Sequence, residues 1–145
     1  MVLTQFLLAG IVSLGNIAVH AVIMVPLVAT VDRALRWRHQ LPQVWLAGVM
    51  IATVSVLMIA HGAEVMLWAA TYALFDVAPP GADDLYFAFV NYTTLGYGDV
   101  LPVEGWRLLG PITAMNGVLL FGWSTAAIFE VLTRAMQQRE EADGK

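Results

Sequence analysis

Thr93-Thr94-Leu95-Gly96-Tyr97-Gly98-Asp99, preceded by Asp84-Leu85-Tyr86-Phe87-Ala88-Phe89-Val90-Asn91-Tyr92, is the stretch on which the fold turns. The residues from Asp84 to Tyr92 read as a short helix, with Asp83 placed to cap its first turn. The glycines at 96 and 98 end it. At 1.5 Å per residue such a helix rises roughly 14 Å, about half of a bilayer's hydrocarbon core. It is therefore too short to cross a membrane, yet long apolar segments stand on both sides of it. Non-helical backbone at membrane depth persists only where protein shields it or water reaches it. The order helix, half-helix, loop, helix thus implies a cavity or pore.

The flanking segments carry the membrane assignment. Of the 145 residues, 59% are hydrophobic and only 12% charged, and the mean hydropathy is +0.73; ordinary soluble domains are about a quarter charged. No Asp, Glu, Lys or Arg occurs in 1–31, 39–63 or 108–129. Each interval exceeds the roughly 20 apolar residues of a spanning helix. The expected fold is an all-α membrane protein with three transmembrane helices, near 4–31, 42–75 and 106–133, and a re-entrant half-helix at 84–92. The units are an N-terminal helix with its link (1–41), a pore unit (42–133) and a charged tail (134–145). The first apolar run lacks a preceding basic residue and is too long for a signal peptide, so it reads as a retained helix. With no cysteine there is no disulfide or thiolate metal site. The net charge of −4 comes with no basic cluster for nucleic acid.

Orientation follows from the basic residues. Arg33, Arg36 and Arg38 sit in the first link, and Arg134, Arg139 and Lys145 follow the last helix. Positive charge marks the cytoplasmic side. The C-terminus is then cytoplasmic, the N-terminus extracytoplasmic, and the Asp76–Glu104 region external in a cell membrane. Trp37 and Trp45 on one side, and Trp68, Tyr72 and Trp106 on the other, fit either interfacial belts or core packing.

The loop's chemistry is that of a cation cage. A dehydrated cation needs oxygen dipoles in place of its water, and backbone carbonyls supply them only if successive ones face one axis. An ordinary strand alternates them. Interleaved residues of opposite handedness cancel that alternation, and glycine reaches positive φ without penalty. Gly96 and Gly98 thus allow the carbonyls of Thr94, Leu95, Gly96 and Tyr97 to line one axis, with the Thr94 hydroxyl at the inner end. Leu95 and Tyr97 side chains point away from it.

Thr93 to Asp99 resembles the selectivity-filter signature of potassium channels, and the likeness extends over about Leu46 to Thr133. The resemblance implies passive, K+-selective permeation through a homotetramer in a lipid bilayer. It implies no cofactor beyond the permeant K+, no enzyme activity and no evident regulatory subunit. Within the resemblance, Tyr86 and Phe87 stand where many relatives carry an aromatic cuff, and Val90 stands where some carry a glutamate. Asn91 is a candidate donor to the Tyr97 hydroxyl, and Asp99 a candidate acceptor from Tyr86. Thr93 supports the inner end of the loop. Gly117 lies near the inner-helix hinge position, and Gly117 and Gly122 suit either bending or close helix packing. Glu130 reads as a carboxylate at the inner exit or as a solvated helix-end residue.

Ionisable groups inside a membrane must pair or face water. His61 and Glu64, at i and i+3, share a helix face. They suit a structural pair, a proton-sensitive gate or, with too few ligands for it, a metal site. Asn16 and His20 are placed to hydrogen-bond to that face. No spaced arginines form a voltage sensor, and the tail is short for a sensor domain. The alternatives are a less selective cation channel, the pore of a potassium uptake system, and an enzyme using His61 and Glu64.

Overall fold

The computed structural model describes residues 2–36 and 43–143. Its helices are α1 (Val2–Arg36), α2 (Gln43–Leu74), α3 (Asp84–Tyr92) and α4 (Leu109–Asp143), with one 3-10 turn at Glu104–Trp106. Three spans, Val2–Ala34, Val44–Leu74 and Glu104–Gln137, are long and apolar enough to cross a membrane. The fold is all-helical, as the apolar intervals require, and α3 occupies the residues expected of the half-helix.

Asp83 caps α3, accepting from Leu85 N at 2.9 Å and Tyr86 N at 3.2 Å. Two differences concern helix ends. The link from Asp32 proves helical to Arg36, and Pro26 lies inside α1 without ending it; lipid-facing helices keep their backbone bonded internally wherever they can. Likewise α4 begins at Leu109 and continues to Asp143, so the charged tail extends the third long helix. Trp37 and Arg38 lie outside the described residues.

α1 packs along both α2 and α4, while α3 is wedged between α2 and α4. The main core gathers Val65, Trp68 and Tyr72 of α2, Phe87, Ala88 and Tyr92 of α3, and Leu109 of α4. Trp68 and Tyr72 are thus core residues, and the belt reading does not hold for them. Each spends its polar atom internally: Trp68 Nε1 donates to Asn116 Oδ1 at 3.1 Å, and the Tyr72 hydroxyl meets Thr113 Oγ1 at 2.7 Å. A buried aromatic with a polar tip needs such a partner.

Three further bonds fasten α1 to α4 along its length. Gln5 Oε1 accepts from Leu108 N at 2.9 Å near the start of α4, where helix amides lack intrahelical partners. Asn16 Nδ2 donates to Asn116 Oδ1 at 2.9 Å near the middle. At the far end Arg134 bridges Asp32 at 2.9 Å and Glu130 at 2.6 Å. α1 is therefore bonded to the helix that follows the loop.

Candidate functional site

The loop after α3 begins where the helix's free carbonyls are. Leu95 N and Gly96 N both donate to the Val90 carbonyl, at 2.9 and 3.4 Å, so the last turn of α3 holds the inner half of the loop. Along the loop, φ is +61° at Thr94, +58° at Gly96 and +77° at Gly98, whereas Leu95 and Tyr97 remain at negative φ. Handedness therefore alternates residue by residue, the pattern a row of inward carbonyls demands. For the glycines this costs little. For Thr94 it costs roughly 1–2 kcal/mol, and glycine content alone gives no hint of that strained position.

Every residue from Thr93 to Asp99 is exposed on the single chain. Leu95 is 52% and Tyr97 69% exposed. Within the chain the loop thus leaves two large apolar side chains uncovered.

The outer end of the loop is tied back to α3. Tyr86 donates its hydroxyl to Asp99 Oδ2 at 2.6 Å, the expected pairing. Phe87 and Val90 are buried, and Phe87 stacks near Tyr72 with ring centroids 5.2 Å apart. Asn91 goes elsewhere than expected. Its Nδ2 reaches the Tyr72 hydroxyl at 3.4 Å, because its side chain turns toward the α2–α4 crevice, beside Gly110. Within the chain it supports α3 from behind and does not touch Tyr97.

The hydrogen bond to the Asp99 carboxylate raises the Tyr86 hydroxyl above its ordinary value of 10.0, with burial and the carboxylate charge adding to the shift. Because the neutral hydroxyl is the form held, this tie is intact below the ordinary tyrosine range. It is lost as pH rises through the raised value. Tyr86→Phe is expected to speed the decay of ion flux and to remove the alkaline-dependent part of that decay. Decay traces across pH measure both; a mutant trace that matches the wild type at every pH would exclude a role for the tie.

Behind the loop lies a second polar centre, which joins all four helices. Glu64 of α2, fully buried, takes His20 Nδ1 of α1 at 2.7 Å and His61 Nδ1 at 2.9 Å. It also accepts from the Tyr92 hydroxyl of α3. His61 Nδ1 lies 2.9 Å from the Tyr92 hydroxyl. Ser124 of α4 closes the group, its Oγ 3.0 Å from His61 Nε2 and 3.4 Å from His20 Nε2. His20 thus meets the His61–Glu64 face as expected, whereas Asn16 passes it and bonds to Asn116. Tyr92 and Ser124 complete the centre. Nothing in their local sequence marks them, since only packing brings the end of α3 against α2.

Gly117 lies on the α4 face that packs on Tyr92. A Cβ there would overlap the Tyr92 carbonyl oxygen and stand 3.0 Å from the carbonyl carbon. Close packing therefore dictates this glycine, whereas a methyl at Gly122 would meet nothing within 4 Å. α4 runs unbroken through both. Glu130 is half-exposed and engaged by Arg134.

Against known proteins, a family model described as "Ion channel" matches residues 46–134. No curated protein and no solved structure matches the chain.

Proposed function

Because this chain belongs to the ion channel family, a family of multi-pass membrane proteins to which its three apolar spans are suited, we propose that the ion it passes is potassium and that the path is the Thr94–Gly98 loop of four identical copies. The observation that carries the reading is the alternation of φ at Thr94, Gly96 and Gly98 with the residues between them. That alternation supports a reading in which the carbonyls of Thr94, Leu95, Gly96 and Tyr97 share one direction. Such rings replace the water of a dehydrated cation. Potassium, bound by neutral carbonyl and hydroxyl oxygens, needs no side-chain charge in the loop, and none stands between Thr93 and Gly98.

One chain contributes one wall of such a ring. The bare flanks of Leu95 and Tyr97 are covered when neighbouring copies pack around the axis. The C-terminal end of α3 leads into the inner end of the loop, and its negative dipole end favours a cation there by a fraction of a kcal/mol. The basic residues toward the C-terminal ends of α1 and α4, Arg33, Arg36, Arg134 and Arg139 among them, support a cytoplasmic side for those ends and an external Asp76–Glu104 region.

Purified protein in liposomes under a potassium gradient tests the reading. Potassium and rubidium are expected to move far faster than sodium. Sodium flux equal to potassium flux would refute the selectivity. Cross-linking in detergent should stop at four chains.

A further inference from the structure

The centre formed by His20, His61, Glu64 and Tyr92 has more coordinating capacity than a structural pair needs. We propose that it is a binding site for one divalent transition-metal cation per chain, of the borderline softness of zinc. This goes beyond the permeation reading and does not depend on which ion the loop selects.

The donor set comes first. Two imidazole nitrogens, a carboxylate and a phenol oxygen form a nitrogen–oxygen group of the kind zinc accepts. Magnesium and calcium favour all-oxygen sites, and potassium carries too little charge to organise imidazoles. The ligand atoms of His20, His61 and Glu64 lie within 4.8 Å of one another, all three residues being buried. The hydrogen-bonded separations among the donors are 2.7 and 2.9 Å. Tetrahedral bonds of about 2.0–2.1 Å set ligands roughly 3.4 Å apart. An outward movement of about half an ångström therefore makes room for the cation.

Next come the outer partners. A metal-bound imidazole usually gives its other ring nitrogen a hydrogen-bond acceptor, which fixes its tautomer. With Nδ1 of both histidines on the metal, both Nε2–H groups face Ser124 Oγ, at 3.0 and 3.4 Å. One hydroxyl of α4 thus orients two ligands from α1 and α2.

Charge supplies the third argument. Glu64 is fully buried, and the sequence has no Lys or Arg between Arg38 and Arg107. A carboxylate at that depth needs a cation beside it. A divalent cation supplies that charge, and the Tyr92 phenol proton leaves to water as its oxygen binds. Two positive charges then balance one carboxylate and one phenolate. Entry has an edge to use: the His61 side chain is 11% exposed, next to Phe121 at a 4.5 Å ring separation.

Bound metal would join α1, α2 and α3 at Tyr92, the residue before the Thr93–Asp99 loop. The test uses the full chain in detergent, stripped with a chelator and then dialysed against zinc alone. One zinc per chain is expected to remain, with a higher melting temperature that the chelator reverses. Cobalt alone should give the visible absorption of a tetrahedral site, and magnesium should be washed out. His20→Gln, which keeps a hydrogen-bonding side chain toward Glu64, should weaken zinc binding at least about tenfold while still melting cooperatively without metal. Tyr92→Phe serves as the second variant, expected to bind zinc more weakly and to lose the tetrahedral cobalt spectrum. Zinc retained by wild type no better than by His20→Gln, or no cobalt spectrum, overturns the proposal and leaves the centre as a hydrogen-bonded network.

Discussion

Gly117→Ala is expected to abolish ion flux and to destabilise the assembled protein. The added methyl would overlap the Tyr92 carbonyl oxygen and stand 3.0 Å from its carbon and 3.3 Å from Tyr92 Cγ. Two of these are backbone atoms at the end of α3, which no side-chain rotation can move aside. To reach ordinary contact, α4 and α3 must separate by about 1 Å or more; overpacking of this kind costs about 1–3 kcal/mol, and more where backbone is involved. The displaced element bears the loop directly, so a small shift of Tyr92 re-aims Thr93 and Thr94. Gly122→Ala is the control, because a methyl there meets nothing within the chain. Flux and thermal melting of the two variants separate the explanations. Loss at Gly117 with near-normal Gly122→Ala identifies packing as the cause. Equal loss at both would point to helix bending and sink the packing account.

Glu64→Ala should be nearly as damaging, by a different route. It removes the acceptor shared by His20, His61 and Tyr92. Hydrogen bonds within membranes average about 0.6 kcal/mol and reach about 1.7, so three lost bonds amount to roughly 2–5 kcal/mol. That range overlaps the 3–5 kcal/mol typical of removing one member of a buried ion pair. Glu64→Gln, which keeps the volume and one acceptor oxygen, should lose less. The melting temperature in detergent orders the variants: wild type, then Gln, then Ala. If the alanine variant melted with the wild type, the centre would contribute nothing to the fold. Because the centre includes α1, its loss should also loosen that helix, detectable as faster amide exchange within α1.

Some of this was legible in the residues themselves. The apolar intervals, the half-helix at Asp84–Tyr92 with its Asp83 cap and the glycines of the loop depend on chemistry within a few residues or on length, whereas the Tyr86–Asp99 tie, across 13 residues, came from the family resemblance. Helix ends were less so, because a charged sequence such as that after Thr133 can continue a helix whose first turns are already packed. Asn91 shows the other limit. Its residue type suits a bond to Tyr97 as well as one to Tyr72, and only the position of α3 between α2 and α4 selects the second.

Composition and spacing by themselves thus determined a three-span helical membrane protein and the segment in which its loop lies, because bilayer thickness and glycine's conformational freedom act on any chain alike. Only the tertiary structure decided that Thr94 joins the two glycines at positive φ, that Gly117 is a packing contact, and that His20 of a separate helix completes the Glu64 centre. Each of these depends on how closely two segments approach, His20 and Glu64 across 44 residues of chain. That distance is set by the packing of all four helices together, which no local pattern encodes.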